Sequence, residues 1–284
     1  MSGEDSRMNR PLRSCWATCG VLCLLLAVAV AASAHAQVDV DAARRALLDQ
    51  VNVIGRPGVP GPVAVFSPHA FAVVAGGSAN QQEAVVAAAA WDRGRIVVFG
   101  HGGYFSKGTL STGETARFML NAARWCAGAR ADDQPINVLV VRANEVAALL
   151  NEHPDSFRVQ TADPRALTTI DPNVDVVVAD ASHYGSEAHR RSLEAFIRRG
   201  GGLITASLGW GYLQVNRGKS LIDDHPGNQL LAEAGLAWAD GYLDGTHPSG
   251  YGVAIESPDR LNARTALEQL LDESGDRSLT VNDA

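Results

Sequence analysis

Three aliphatic runs separated by helix-patterned segments constrain this chain most. Ile136–Val141 is interrupted only by Asn137, and Val174–Val178 only by Asp175. Gly200-Gly201-Gly202 leads into the third run, Leu203–Ala206. Short apolar runs bounded by turn formers predict buried strands. Between them, Val146, Leu149 and Leu150 share one helical face, and Leu193, Phe196 and Ile197 share another. Ser186 is placed to cap the second helix and Gly200 to end it. Strand, helix, strand, helix, strand with short links predicts a parallel sheet flanked by helices.

The flanking segments add to this frame. Residues 39–52 read as a short amphipathic helix with Ala42, Leu47, Leu48 and Val51 on one face. Residues 55–62, rich in glycine and proline, read as a linker, and Val63–Phe66 as the first strand of the ordered domain. Phe71–Ala75 is a further apolar run. Val85–Ala90 and Arg95–Phe99 flank Trp91-Asp92-Arg93-Gly94, the pattern of a β-hairpin, although the alanines 87–90 alone also suit a helix. Thr112 is placed to cap a helix through Cys126, with Phe118, Met119, Ala122 and Trp125 toward the core. Asn228–Ala234 and Leu267–Leu271 read as helices, and residues 276–284 as a polar tail.

Residues 1–36 read as a leader rather than as fold. Arg7, Arg10 and Arg13 precede the apolar stretch Val21–Ala32, and Ala34-His35-Ala36 has the small-x-small form of a signal-peptidase site. Cleavage before Gln37 and a secreted or periplasmic location are expected, with no stable membrane insertion afterwards, because the apolar stretch is short for a bilayer span. Cys15, Cys19 and Cys23 would leave with the leader, and Cys126 alone permits no internal disulfide. Beside Trp125, it is expected as a small buried hydrophobe. Without residues 1–36 the chain keeps 21 basic against 29 acidic residues. That balance argues against a nucleic-acid partner.

In a parallel sheet, ligands bind beyond the carboxyl ends of the strands. Three strand exits carry glycines and aromatics, Gly100–Phe105, Asp180–Gly185 and Ser207–Tyr212, with histidine at two of them. A concave, partly apolar site is expected there. Thr205, Ser207 and Gly209 have the small-x-Ser-x-Gly spacing of a nucleophile elbow, a strained turn that exposes its central side chain, and Gly209, Gly211 and Gly218 are expected to interrupt any helix behind it. A catalytic Ser207 would need a base, for which His183 with Asp180 as its orienter is the nearer candidate and His247 the other. Otherwise Ser207 only permits a tight turn. His101, Asp180 and His183 suit a metal by residue type, but histidines that cap strand ends are the commoner use, so neither metal nor cofactor is expected. Tyr104, Tyr184, Trp210 and Tyr212 either stack on a sugar or peptide, together with His101 at the same edge, or seal the top of the sheet with their polar atoms paired. Asp223-Asp224-His225-Pro226 reads as a helix N-cap, and Arg190, Arg191, Arg198 and Arg199 as a solvated helix face.

These stretches carry a resemblance. Residues 90–105, Ala-Trp-Asp-Arg-Gly-Arg-Ile-Val-Val-Phe-Gly-His-Gly-Gly-Tyr-Phe, resemble the N-terminal domain of the TRP-channel-associated factors, which also precedes the enhancin-like, mucin-directed zinc metallopeptidases. Trp210-Gly211-Tyr212, Asn216-Arg217-Gly218, Asp224–Leu231 and Ala234-Gly235-Leu236 agree with the same domain, over roughly residues 60–275. The resemblance implies a flavodoxin-like α/β fold. It would be a three-layer sandwich similar to class I glutamine amidotransferases, with a mostly parallel sheet and a β-hairpin addition over residues 61–275, after a helix and linker at 37–60. In that class a cysteine nucleophile stands where this chain has Ser207, and Ser249 replaces the glutamate of a late His-Pro-Glu at His247-Pro248. The peptidase's His-Glu-x-x-His is absent, and Pro154 after Glu152-His153 excludes a disguised copy. The chain would be the accessory domain alone, an exported non-catalytic binding module for carbohydrate, cell-envelope material or protein. The rival classes are a serine-dependent hydrolase using Ser207 and a regulatory protein-interaction module.

Overall fold

The computed structural model describes residues 38–78, 81–128, 134–255 and 258–274. The expected leader 1–36 and tail 276–284 lie outside the described residues. The elements, in chain order, are α1 (Val40–Leu47), β1 (Val53–Gly55), β2 (Val63–Val65), β3 (Ala70–Ser78), β4 (Gln81–Trp91) and β5 (Gly94–Phe99). Then come α2 (Lys107–Leu110), α3 (Thr115–Cys126), β6 (Ile136–Val141), α4 (Asn144–Asn151), β7 (Phe157–Ala162) and β8 (Val176–Asp180). The described chain continues with α5 (Glu187–Arg198), β9 (Gly202–Ala206), α6 (Gly209–Val215), α7 (Pro226–Leu231), β10 (Leu236–Trp238), β11 (Gly250–Gly252) and α8 (Ala263–Ser274).

Among the described residues one nine-stranded sheet runs β10-β2-β4-β5-β9-β8-β6-β7, with β3 paired to β4, and β1 and β11 form a separate two-stranded ribbon. The links from β5 through β9, β8 and β6 to β7 are parallel. The links among β10, β2, β3, β4 and β5 are antiparallel. The sheet is therefore mixed, which corrects the expectation of a mostly parallel one. The β4–β5 hairpin forms as expected, with the alanines 87–90 in strand, and β5 joins the two halves. The three aliphatic runs are neighbours in the parallel half.

Alternation along these strands builds two cores. Val97, Phe99, Val138, Val140, Val176, Val178 and Ile204 face one side, where Phe118, Met119 and Ala122 of α3 and Val146 and Leu150 of α4 cover them. Ile96, Val98, Leu139, Val177, Ala179 and Leu203 face the other, under Leu193, Phe196 and Ile197 of α5 and Leu230 and Leu231 of α7. Adjacent strand residues thus enter opposite cores, which is why the runs are apolar without a break. Cys126 is fully buried, and burial pushes its thiol pKa up, as suits a small hydrophobe.

Several boundaries differ from expectation for local reasons. Thr112 does not cap α3; its hydroxyl donates to the Gly108 carbonyl at 2.9 Å, and α3 starts behind Glu114. β8 begins at Val176, because the Asp175 carboxylate accepts from the Asn137 amide at 2.8 Å. Helix α1 ends at Leu47, although Val51 beyond it is still buried. Arg198 is not merely solvated. It pairs with Asp92, Glu194 and Glu233 and lies 4.5 Å over the Trp91 ring, tying α5 to the hairpin. No described helix is long and apolar enough to cross a membrane.

Candidate functional site

The parallel register sets the edge. Ala206 lies level with Phe99 on one side and Asp180 on the other, so Gly100, Ala181 and Ser207 leave the sheet next to one another. The Phe99 carbonyl accepts from the Ser207 amide at 3.2 Å and from the Trp238 indole N–H at 2.8 Å. That fastens the elbow to β5 and β10.

Helix α6 starts two residues after Ser207, which corrects the expectation that glycines would interrupt a helix there. The glycines are needed for packing. A Cβ on Gly209 would lie 2.1 Å from the Ala239 carbonyl oxygen, and one on Gly211 would lie 2.9 Å from the Leu208 side chain. The strained turn expected at the elbow is not found. Among the described residues the non-glycines with positive φ are Gln50, Asp92 and Arg142, and Ser207 is not one of them.

The partner of Ser207 is His225, not His183 or His247. Ser207 Oγ and His225 Nε2 are 3.0 Å apart. His225 caps α7, its Nδ1 accepting the Asn228 amide N–H at 3.2 Å. A ring nitrogen that accepts carries no proton, so the neutral imidazole holds its proton on Nε2 and donates it to Ser207 Oγ. A general base needs the reverse, a free Nε2 lone pair toward the hydroxyl. The ring is only 1% exposed, between Tyr212 at 4.8 Å and Trp238 at 5.2 Å. Burial pushes its pKa down to about 4, with the charge of Asp180 opposing the shift.

Asn228 supports this arrangement. Its Nδ2 donates to the carbonyls of Leu221 and Trp238, both at 2.9 Å, and its Oδ1 accepts from the Trp238 amide at 2.8 Å. Gly227 leaves room for the Trp238 ring, which a Cβ there would meet at 2.1 Å. Serine, histidine, asparagine and tryptophan thus form one buried framework.

The other expected residues lie at the same edge but serve different ends. Asp180 Oδ1 accepts from the Ser182 amide at 2.9 Å and its hydroxyl at 2.7 Å, so it caps its own turn and makes no hydrogen bond to His183. His183 makes no hydrogen bond to Ser207, and its Nδ1 is buried without a partner. Burial lowers its pKa, against the charge of Asp180. His101 caps the turn Gly102–Phe105, its Nδ1 accepting from the Gly103 amide at 2.8 Å. His247 is exposed on the loop before β11. Among the described residues, no group of three His, Cys, Asp or Glu is arranged to hold a metal.

The aromatics divide. Tyr104 and Tyr184 are fully buried, which corrects their placement as stacking surfaces. The Tyr184 hydroxyl lies 2.8 Å from Thr205 Oγ1, whereas the Tyr104 hydroxyl has no partner, contrary to the expectation that every polar atom would be paired. Tyr212 is half-buried and donates to the Asp224 carbonyl at 2.9 Å. Trp210 is half-buried on α6, its indole N–H donating to the Val59 carbonyl at 3.1 Å. On the segments that follow Ser207 in the chain, Val215 is 83% exposed, Ile222 84% and Tyr242 70%.

Sequence reasoning missed His225 as the partner of Ser207. The signal was present in His225-Pro226-Gly227-Asn228. Proline at the first helical position makes the preceding residue the cap, and a histidine used there has one nitrogen committed and one left to reach elsewhere.

Residues 23–248 match the family model described as "TRPM8, N-terminal domain". The chain is 28% identical over 207 residues to TRPM8 channel-associated factor 2 of Bos taurus, covering 71% of this chain and 20% of that protein. It is 34% identical over 157 residues to TRPM8 channel-associated factor 1 of Homo sapiens, covering 54% and 15%. The chain thus spans about a fifth or less of these relatives. Among solved structures, the IMPa metallopeptidase in complex with T-antigen is similar with a TM-score of 0.52 at 16% identity, over 82% of this chain and 27% of that one. IMPa from Pseudomonas aeruginosa in complex with an O-glycopeptide gives 0.50 at 15%, over 81% and 26%. At these identities the likeness is one of fold.

Proposed function

Because the chain belongs to the family described as TRPM8, N-terminal domain, we propose that it is a non-catalytic accessory module that binds a partner at the strand-exit edge. The observation that carries this reading is the Asn228 amide N–H on His225 Nδ1, which leaves the proton of the neutral ring on Nε2, the nitrogen that faces Ser207 Oγ. Among the described residues no carboxylate hydrogen-bonds to the ring. A serine so placed is fixed rather than activated.

The contact surface is the rim of that edge. Trp210 and the exposed Val215, Ile222 and Tyr242 offer apolar area that a protein or a sugar ring can cover. Protein association is supported by the channel-associated relatives, and carbohydrate by the glycan and glycopeptide bound to IMPa. We read the strands β7-β6-β8-β9, which run 2-1-3-4 in their own chain order, as a flavodoxin-like core of the kind class I glutamine amidotransferases share. The leader pattern of residues 1–36 supports export to the periplasm or beyond.

The test pairs a fluorophosphonate probe with surface plasmon resonance on an immobilised O-glycopeptide. Ser207 is expected to stay unlabelled. Trp210→Ala is expected to weaken binding about tenfold, and Ser207→Ala to leave it unchanged, since a lost stacking face costs about 1–2 kcal/mol. Stoichiometric labelling of Ser207 that His225→Ala abolishes would make the protein a hydrolase instead.

A further inference from the structure

At the opposite end of the sheet, Arg95, the second residue of β5, lies level with Gly202, the first residue of β9. There a cleft of about 730 Å³ lies between α1, α3 and the start of β5. Arg45, Arg95, Arg117 and Arg124 all line it, and Asp49 is the single carboxylate that does. The concentration of positive charge is unexpected in a chain of net charge −7, and it is invisible in the sequence because the four arginines come from three elements.

Arg95 and Arg124 are held in place, and no salt bridge to a described residue neutralises any of the four arginines. Arg95 donates to the Trp125 carbonyl at 2.8 Å and lies 5.3 Å over the Trp125 ring. Arg124 lies 5.4 Å over the Phe157 ring. Burial and the like charge of Arg117 lower the Arg124 pKa. Arg45 and Arg117 are exposed, and no ion pair to a described residue engages either. Like charges gathered in a concavity raise the local potential and attract counter-charge.

We propose that this cleft is a binding site for a small ligand carrying two or more phosphate or sulfate groups. Guanidinium forks pair with such tetrahedral oxyanions through two parallel hydrogen bonds. A volume of about 730 Å³ is in the range of small-ligand sites and exceeds what one inorganic anion fills. Apart from Ala46 and Trp125, the residues that line the cleft are charged or polar, so it offers an acidic peptide no apolar side-chain pocket. It is separate from the Ser207 edge, so the failure of either proposal leaves the other standing.

Isothermal titration of the full chain, at low salt and at about 0.15 M, tests the site with tripolyphosphate, sucrose octasulfate and polyglutamate. Tripolyphosphate or sucrose octasulfate is expected to bind with one-to-one stoichiometry, and the tighter of the two identifies whether phosphate or sulfate is the natural group. Arg45→Gln/Arg117→Gln is expected to bind about tenfold more weakly or worse, while Lys107→Gln, outside the cleft, binds normally. Both substituted arginines are exposed, and circular dichroism checks that the double variant is folded. Undiminished binding by that variant, no binding of either tripolyphosphate or sucrose octasulfate, or tighter binding of polyglutamate than of both would overturn the proposal.

Discussion

His225 is held neutral at pH 7 by the rings packed on it, and that neutrality has a thermodynamic consequence. Its pKa is about 4 in the fold against 6.5 for a free imidazole. Between those values the unfolded chain binds a proton that the folded chain refuses. Stability contributed by the neutral ring is therefore fully present above about pH 6.5 and is lost as the pH falls toward 4, by an amount on the order of 3 kcal/mol. His101 and His183, whose pKa values burial also lowers, act in the same direction. Urea midpoints measured from pH 7 to pH 4 are expected to fall, and His225→Asn, which keeps a capping side chain, is expected to flatten the fall. An unchanged slope in that variant would show that the ring is not buried in the neutral form.

At the scale of elements, what a segment shows in its own residues was legible, and what depends on a distant neighbour was not. The aliphatic runs at 136–141 and 203–206 and the Ser186-capped helix follow from side-chain pattern alone, because burial on both faces demands unbroken apolar sequence. Helix α6 was misread because glycine lowers helix propensity by about 1 kcal/mol, whereas here close approach to Ala239 and Leu208 selects glycine. Gly209→Ala, a gain in intrinsic propensity, is accordingly expected to destabilise the protein by roughly 1–3 kcal/mol and to lower the melting temperature. A rise in melting temperature would mean that the 220s loop and the 239–243 segment can move away from α6 at little cost. The antiparallel half of the sheet was hidden for a related reason. Strand β10 is three residues, too short to carry a pattern, and although Val63–Phe66 reads as a strand, its pairing with β10 and β4 depends on distant residues.

For the molecule as a whole, the sequence located the edge correctly but paired the wrong residues across it. Ser207, Asp180, His101 and Trp210 do gather where parallel strands end, as the topology requires. The histidine that reaches Ser207 comes from a segment 18 residues further on, and only the packing of α7 on Trp238 brings it there. The same separation hid the four arginines at the other end. The proposed reading of a protein with two such ends is association rather than chemistry, and the position of a single proton tests it most directly. Nitrogen-15 NMR of the histidine-labelled protein reports that position. The expected result is a neutral His225 with its proton on Nε2, coupled to Ser207, from pH 7 down to about pH 5. A proton on Nδ1 instead, with Nε2 free toward the serine, would contradict the binding-module reading and give Ser207 its base.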